Sequence, residues 1–351
     1  MLTNESDSPF DNSTSSTVSN ASSGNQTALG GGPHWTTTSY STLIVQISAL
    51  LTNASLVFLF AWNRSLVTAF TIYVLNLCVA NILSSAFFTT LHLIDYLYAP
   101  IELPGVNWWL GDSWCTMYQY SEWLLSGSMV NAHALIALNR FWAVTFPNSY
   151  RLKQTKLAAA GICIAQWFYM HLCILPGILL DVYIYRLPVF TDIAQCHSGT
   201  DAPFEWQAAI QLLIFDFPLV IIVGVLPVVY YKASRRRKPL VTPSTGILPT
   251  GLSGGPAAGS VSAANPVNAP TRIKSSGILA MTLMTATVLV CYVPDNLYNT
   301  LWVFNLDLGS QFYQIVTVLY ELTPVFDPIW FILTLPRLRH AFLETYCSPC
   351  K

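Results

Sequence analysis

The sequence predicts an all-α membrane protein, a seven-transmembrane helix bundle with a short cytoplasmic amphipathic helix after the seventh span. Three observations predict it. Only 9% of the 351 residues are charged and 53% are hydrophobic, against about 25% charged in average usage. Seven apolar runs, Leu43–Trp62, Phe70–Leu91, Cys115–Leu138, Leu157–Leu180, Ala208–Tyr231, Gly277–Phe304 and Phe312–Leu335, stand out along the chain. Each meets the roughly 20 residues that a helix needs to cross a bilayer core. All but one of the 16 Lys and Arg residues fall in alternate gaps between these runs, the exception being Arg186. Basic residues resist translocation, so those gaps are expected to be cytoplasmic and the amino terminus extracellular. No run alternates as the strands of an outer-membrane barrel do.

Residues 1–41 read as a disordered, glycosylated extracellular segment. They are rich in Ser, Thr, Asn and Gly, and carry sequons at Asn4, Asn12, Asn20 and Asn25. The first apolar run starts too far along for a cleaved signal peptide and is expected to act as a signal anchor. The sequons at Asn53 and Asn63 lie in that run and at its cytoplasmic end, and read as chance matches.

Residues 42–346 form the bundle. Arg64 follows the first span, and Arg140, Arg151, Lys153 and Lys156 sit at the end of the third and after it. Lys232, Arg235, Arg236, Arg237, Lys238, Arg272 and Lys274 separate the fifth from the sixth. Arg337, Arg339 and Lys351 come after the seventh. The run Arg235 to Lys238 reads as a helix end at anionic lipid headgroups rather than as a nucleic-acid site. Residues 239–270 are rich in Pro, Gly, Ser and Ala without a charge, and are expected to be a disordered third cytoplasmic loop.

Cysteines divide by location. Cys115 and Cys196 are near extracellular ends of spans, where disulfides form, and a bridge would staple the loop 181–207 to the third helix. Cys78, Cys163, Cys173 and Cys291 lie within spans and read as small packing residues. The tail 347–351 carries Cys347 and Cys350, which read either as palmitoylation sites or as free thiols.

Several motifs then occur in order on the right spans. Asn53 lies on the first helix, and Asn76-Leu77-Cys78-Val79-Ala80-Asn81 on the second. Trp108-Trp109-Leu110-Gly111 precedes Cys115, and Asn139-Arg140-Phe141 is followed by Pro147 and Tyr150. Trp167 and Pro176 mark the fourth helix and Pro218 the fifth. Cys291-Tyr292-Val293-Pro294 and Asp327-Pro328-Ile329-Trp330-Phe331 mark the sixth and seventh. On these residues the chain resembles the rhodopsin-like, class A family of G-protein-coupled receptors, and is distantly similar to its amine receptors. The resemblance covers residues 41 to 346. It implies an extracellularly open pocket and a cytoplasmic crevice that admits a heterotrimeric G protein, with Arg140 meeting that partner. The prolines Pro294 and Pro328 each remove an intrahelical hydrogen bond and leave a point about which a helix can swing.

Ionisable residues at membrane depth default to functional hypotheses. Glu122 and Arg140 are 18 residues apart, about five turns, which puts both on one helix face. Glu122 matches the position where amine receptors of the family pair an acid with the ligand's ammonium. Two readings stand for it, a counter-ion for a cationic ligand, which is favoured, and a structural acid held neutral by hydrogen bonds. The same pair is evenly open for Glu321. Asp295-Asn296 stand where amine receptors of the family place paired aromatics. Asp295 adds a third acid, so the pocket suits a cationic ligand (an amine, a polyamine or a basic peptide), and a polyamine or basic peptide better than a catechol-like aromatic amine. Trp123, Tyr292, Tyr298 and Trp302 could supply cation–π contacts, though for Trp302 packing and interfacial anchoring is at least as good an account. Asp216 has no strong claim. His133 reads as a satisfied, buried neutral imidazole.

Departures from the family pattern fall on the switching machinery. Asn81 replaces the Asp that helps bind sodium in relatives, and Met129 replaces a Ser, so only Asp327 remains for such a site. Leu226 and Phe331 each lack a Tyr hydroxyl. Asn139 replaces the Asp beside Arg140, and residues 271–285 contain no acid. Arg140 therefore lacks an acidic restraint, and elevated basal signalling is expected.

The reading is a cell-surface receptor with an extracellular small-molecule or peptide ligand, a heterotrimeric G protein and membrane lipids as partners, and no cofactor. Alternatives are a neuropeptide receptor that does not use Glu122, a non-signalling seven-helix binding protein, or a transporter, whose inverted repeats are not evident. The seventh span has no Lys, which excludes a retinal Schiff base. No HExxH, GxSxG or phosphate-loop motif supports an enzyme.

Overall fold

The computed structural model describes residues 33, 35–98, 112–186, 202–236, 275–306 and 308–347. The four amino-terminal sequons, Cys196, Cys350 and the 239–270 loop lie outside them. Within the described residues the regular structure is helical throughout. The helix α1 is Thr37–Trp62. Four of the next five helices carry an internal wide turn with π geometry. Thus α2 runs as Ala69–Leu83, the π turn Ser84–Phe88 and Thr89–Tyr98. The helix α3 joins Asp112–Ser121, the π turn Glu122–Ser126 and Gly127–Thr145. A short helix, Pro147–Lys153, leads to α4, Lys156–Leu180, which closes with the π turn Asp181–Tyr185. Then α5 joins Phe204–Ile210, Gln211–Asp216 and Phe217–Arg236, and α6 joins Ser275–Thr287, Val288–Tyr292 and Val293–Val303. The helix α7 is Ser310–Thr334, and α8, Pro336–Tyr346, is the expected amphipathic helix after the seventh span.

Helix starts follow ordinary capping chemistry. Thr36 and Thr155 accept from the backbone N–H groups of Ser39 and Ala158 at the heads of α1 and α4. Thr68 and Thr71 form a reciprocal capping box at the head of α2, satisfying two orphan donors.

Among the described residues, five helices are long and apolar enough to cross a membrane, within Thr37–Trp62, Ala69–Leu97, Lys156–Tyr185, Phe204–Lys232 and Gln311–Thr334. The helix α3 falls outside that group because it carries more polar residues. On α3, Ser128, His133 and Asn139 are all buried. A helix enclosed by protein meets little lipid and can carry polar groups that find partners inside the bundle. On the outside, Leu51, Phe168, Leu172, Phe217, Val220 and Ile315 are exposed apolar residues suited to acyl chains.

Among the described residues the core forms three packed clusters. One lies at the Arg140 end and joins α1, α2, α3, α4 and α7 through Leu59, Val74, Ile136, Cys163 and Phe331, with Leu338 and Ala341 of α8 docked on it. A second, containing Tyr118, Met129, Ile222 and Tyr292, fills the centre. A third wedges α3, α4 and α5 together through Leu124, Ile174 and Ile214.

Two prolines shape the bundle through the carbonyls they release. Pro218 cannot donate to Ile214, and Asn131 of α3 donates its side-chain amide to that carbonyl at 2.9 Å. Pro328 likewise releases the Pro324 carbonyl, and Asn53 of α1 donates to it at 2.7 Å. An unpaired carbonyl in a membrane interior costs several kcal/mol, so each proline break is matched by an amide on a neighbouring helix.

Candidate functional site

The end of the bundle opposite Arg140 holds a cavity of about 270 Å³ between α2, α3, α5, α6 and α7. Four of the five π turns contribute to its wall. They supply Phe88 from α2, Glu122, Trp123 and Ser126 from α3, Gln211 and Phe215 from α5, and Tyr292 from α6. A π turn adds a residue to one turn and turns the side chains ahead of it to a new face. Even spacing along α3 therefore does not describe Glu122 and Arg140, although Glu122 does face the interior. Such turns leave the apolar period of a sequence almost unmarked, and spacing arguments passed over them.

Of the ligand-site residues expected from the sequence, Glu122, Trp123, Tyr292, Asp295 and Tyr298 line this cavity, and so does Trp302. Glu321 does not. It turns toward α1 and α2, where Thr42 Oγ1 donates to it at 2.9 Å and His92 Nδ1 lies 3.7 Å away. Its neighbour Tyr320 lines the wall instead, donating to Ser126 Oγ at 2.6 Å and meeting the Tyr292 ring edge-on at 5.1 Å. Sequence reasoning passed over His92, Ser126, Gln211, Phe215 and Tyr320. The aromatic residues among them, common in any span, gave no signal of their own.

Trp123 is positioned by a chain of close contacts. Gly177 of α4 leaves room for the Trp206 indole, since a Cβ there would sit 2.0 Å from its ring. Trp206 donates to the Cys173 carbonyl at 3.3 Å and packs 5.7 Å from Trp123, which also meets Phe215 edge-on at 5.8 Å. Gly127 plays a similar part beneath, where a Cβ would clash with Met170 and Ile214.

Asp216 acquires a role that its sequence context did not indicate. It accepts from Asn296 and, at 3.1 Å, from Thr300 of α6. Gln211 donates to both of those residues at 3.0 Å. The result is a polar clamp between α5 and α6 at the cavity wall. Asp295 accepts from Asn299 at 3.2 Å.

Below the cavity, Asp327 is fully buried. Asn81 donates to one of its oxygens at 3.1 Å, and also to Asn53 at 3.1 Å. His133 Nε2 meets the other oxygen at 3.0 Å, and His133 Nδ1 lies 2.9 Å from the Met129 carbonyl. A carbonyl only accepts, so Nδ1 carries a hydrogen and a second proton lies between Nε2 and the carboxyl. His133 is thus not an isolated imidazole. It forms a net-neutral unit with Asp327, which avoids the cost of one buried charge. Both carboxyl oxygens of Asp327 are engaged by protein groups.

At the opposite end, the Arg140 guanidinium carbon lies 3.4 Å from the centre of the Phe70 ring. Asn139 is buried and its Oδ1 accepts from Tyr150 of the short helix at 3.2 Å. Phe141 packs against the central cluster and Phe331 within the cluster at the Arg140 end. Pro294 follows the π turn of α6, and Pro328 lies inside α7. Trp330 donates to Thr287 of α6 at 2.8 Å, a link between α6 and α7 beside Phe331, which has no hydroxyl to make one.

Arg186, the base that departed from the one-sided pattern, pairs with the fully buried Asp181 and donates to Thr116 at 2.8 Å and to Gln119 of α3. Its charge is neutralised locally, and it ties the end of α4 to α3 near Cys115, whose expected partner Cys196 lies outside the described residues. Cys347 caps the end of α8.

A seven-helix membrane bundle with a cavity lined by acids and aromatic rings at one end and an arginine site at the other is a transmembrane receptor scaffold. The chain belongs to the 7 transmembrane receptor (rhodopsin family), which it matches over residues 52–331. That is a family of receptors, and the chain is not an enzyme. It is 29% identical over 181 residues to Dopamine receptor 2 of Drosophila melanogaster, covering 48% of this chain and 33% of the relative. It is 28% identical over 173 residues to Proteinase-activated receptor 3 of Homo sapiens, covering 44% and 45%. To the Alpha-2C adrenergic receptor of Didelphis virginiana it is 27% identical over 151 residues, covering 42% and 31%. The chain thus spans less than half the length of each of these relatives.

Proposed function

We propose that the chain is a plasma-membrane receptor, amino terminus outside, that couples an extracellular cationic ligand to a heterotrimeric G protein. One observation carries the ligand class. Glu122 and Asp295 line the same cavity, with aromatic rings around them and no Lys or Arg among the described lining residues. A cation there meets two carboxylates and the faces of Trp123, Tyr292 and Tyr298, which attract it through their quadrupoles. Ligand pockets span about 300–1,000 Å³, and this cavity, at about 270 Å³, lies just below that range. Its size favours a compact amine or polyamine over a whole peptide. The relatives named for dopamine and as an adrenergic receptor support the same class.

In this reading the sequons Asn4, Asn12, Asn20 and Asn25 face outward, Cys115 pairs with Cys196, and Cys347 and Cys350 sit at the inner leaflet. Arg140 meets the G protein. An aromatic contact restrains an arginine less than an ion pair does, about 0.5–2 kcal/mol against about 1.5–3 kcal/mol, so basal signalling is elevated. A screen of amines, polyamines and short basic peptides on wild type and Glu122→Gln tests the ligand class. Responses to a cationic ligand that disappear in Glu122→Gln support it, and responses that are unchanged remove the counter-ion role.

A further inference from the structure

We propose that Phe70 is the residue that holds Arg140 in its resting place, and that the face of its ring sets basal coupling. The proposal rests on the signalling reading above and adds a residue to it. The guanidinium carbon lies over the ring, 3.4 Å from its centre, with the charge against the negative face. Among the described residues none of the ion pairs involves Arg140. The neighbouring Asn139 is committed to Tyr150 and supplies no charge.

Phe70 is itself firmly placed. It sits one residue before Thr71 in the first turn of α2, inside the capping box in which Thr68 accepts from Thr71 N–H at 3.2 Å and donates its own N–H to Thr71 Oγ1 at 2.7 Å. It also packs against the cluster at the Arg140 end, which contains Leu77, Ile136 and Phe331. The stack therefore joins the cation on α3 to a ring held in place on α2. For Arg140 to reach a partner entering from that end, this contact has to break. A carboxylate would hold the same group by charge, whereas here a ring does so by its quadrupole. An aliphatic side chain of similar bulk fills the space without that attraction.

The test is agonist-independent nucleotide exchange on purified G proteins of each main class, using membranes that hold the full-length receptor at matched surface density. Thermal unfolding of each variant is followed in parallel. Phe70→Leu is expected to raise basal exchange about twofold to tenfold, while Phe70→Tyr, which keeps the ring face, stays near wild type. Adding Asn139→Asp to Phe70→Leu restores an anion beside Arg140 and brings exchange back down. Phe70→Met replaces Phe70→Leu where the latter does not reach the membrane. Equal exchange in wild type, Phe70→Leu and Phe70→Tyr overturns the role of Phe70 alone. A similar rise in both Phe70→Leu and Phe70→Tyr also overturns it, since that outcome reports packing rather than the ring face. Silence in every variant with every G protein overturns it together with the signalling reading.

Discussion

Asn53 of α1 donates its side-chain amide to the Pro324 carbonyl of α7 at 2.7 Å, 271 residues along the chain. The bond exists because Pro328 has no N–H to give that carbonyl. The same amide also donates to Ala49, and Asn53 Oδ1 accepts from Asn81, so one fully buried side chain ties α1, α2 and α7. Asn53→Leu leaves the carbonyl orphaned. We expect a loss of about 1–3 kcal/mol, read as an earlier thermal unfolding of the detergent-solubilised receptor. An unchanged midpoint would show that another donor takes over.

His133 and Asp327 share a proton across the interface of α3 and α7. His133→Leu strands a buried carboxyl with only Asn81, which is expected to cost about 3–5 kcal/mol. Adding Asp327→Asn removes the stranded charge and recovers part of that loss. Thermal midpoints of the two single variants and the double variant form a cycle, and strict additivity would mean that the two side chains do not act as a unit.

Gly177→Ala places a Cβ inside the Trp206 indole, a flat group held by its bond to Cys173. Overpacking of this kind costs about 1–3 kcal/mol. Because Trp206 supports Trp123, ligand affinity should fall along with stability. If stability drops while affinity holds, the indole chain does not position the cavity wall.

Arg186→Met removes the base that faces the buried Asp181. The expected cost is about 3–5 kcal/mol, because an acid is left in the interior without its countercharge. Asp181→Asn in the Arg186→Met background should restore most of the stability. Failure of that rescue would assign the loss to the bonds with Thr116 and Gln119.

The course of the helices was legible in the sequence because apolar length and one-sided charge are dictated by the bilayer. The helix α8 was expected as part of the fold class, and its buried Leu338 and Ala341 share one face. Glu122 and Asp295 were legible as intramembrane acids, which are costly wherever they occur. Other features were not. Glu321 was expected in the pocket, but its orientation depends on Thr42 and His92 from other helices. The π turns shift which face each helix presents without altering its composition. Phe70 is an ordinary apolar residue until the fold lays Arg140 over its ring, and Asp216 shows its role only once α6 brings Asn296 and Thr300 alongside.

The central claim is that the carboxylate of Glu122 selects a cation. The direct measurement is the ratio of affinities for a cationic ligand and its neutral isostere, in wild type and in Glu122→Gln. A charge-assisted contact contributes about 1.5–3 kcal/mol, so the ratio is expected to fall about tenfold or more in Glu122→Gln. A ratio that stays the same in both proteins contradicts the account.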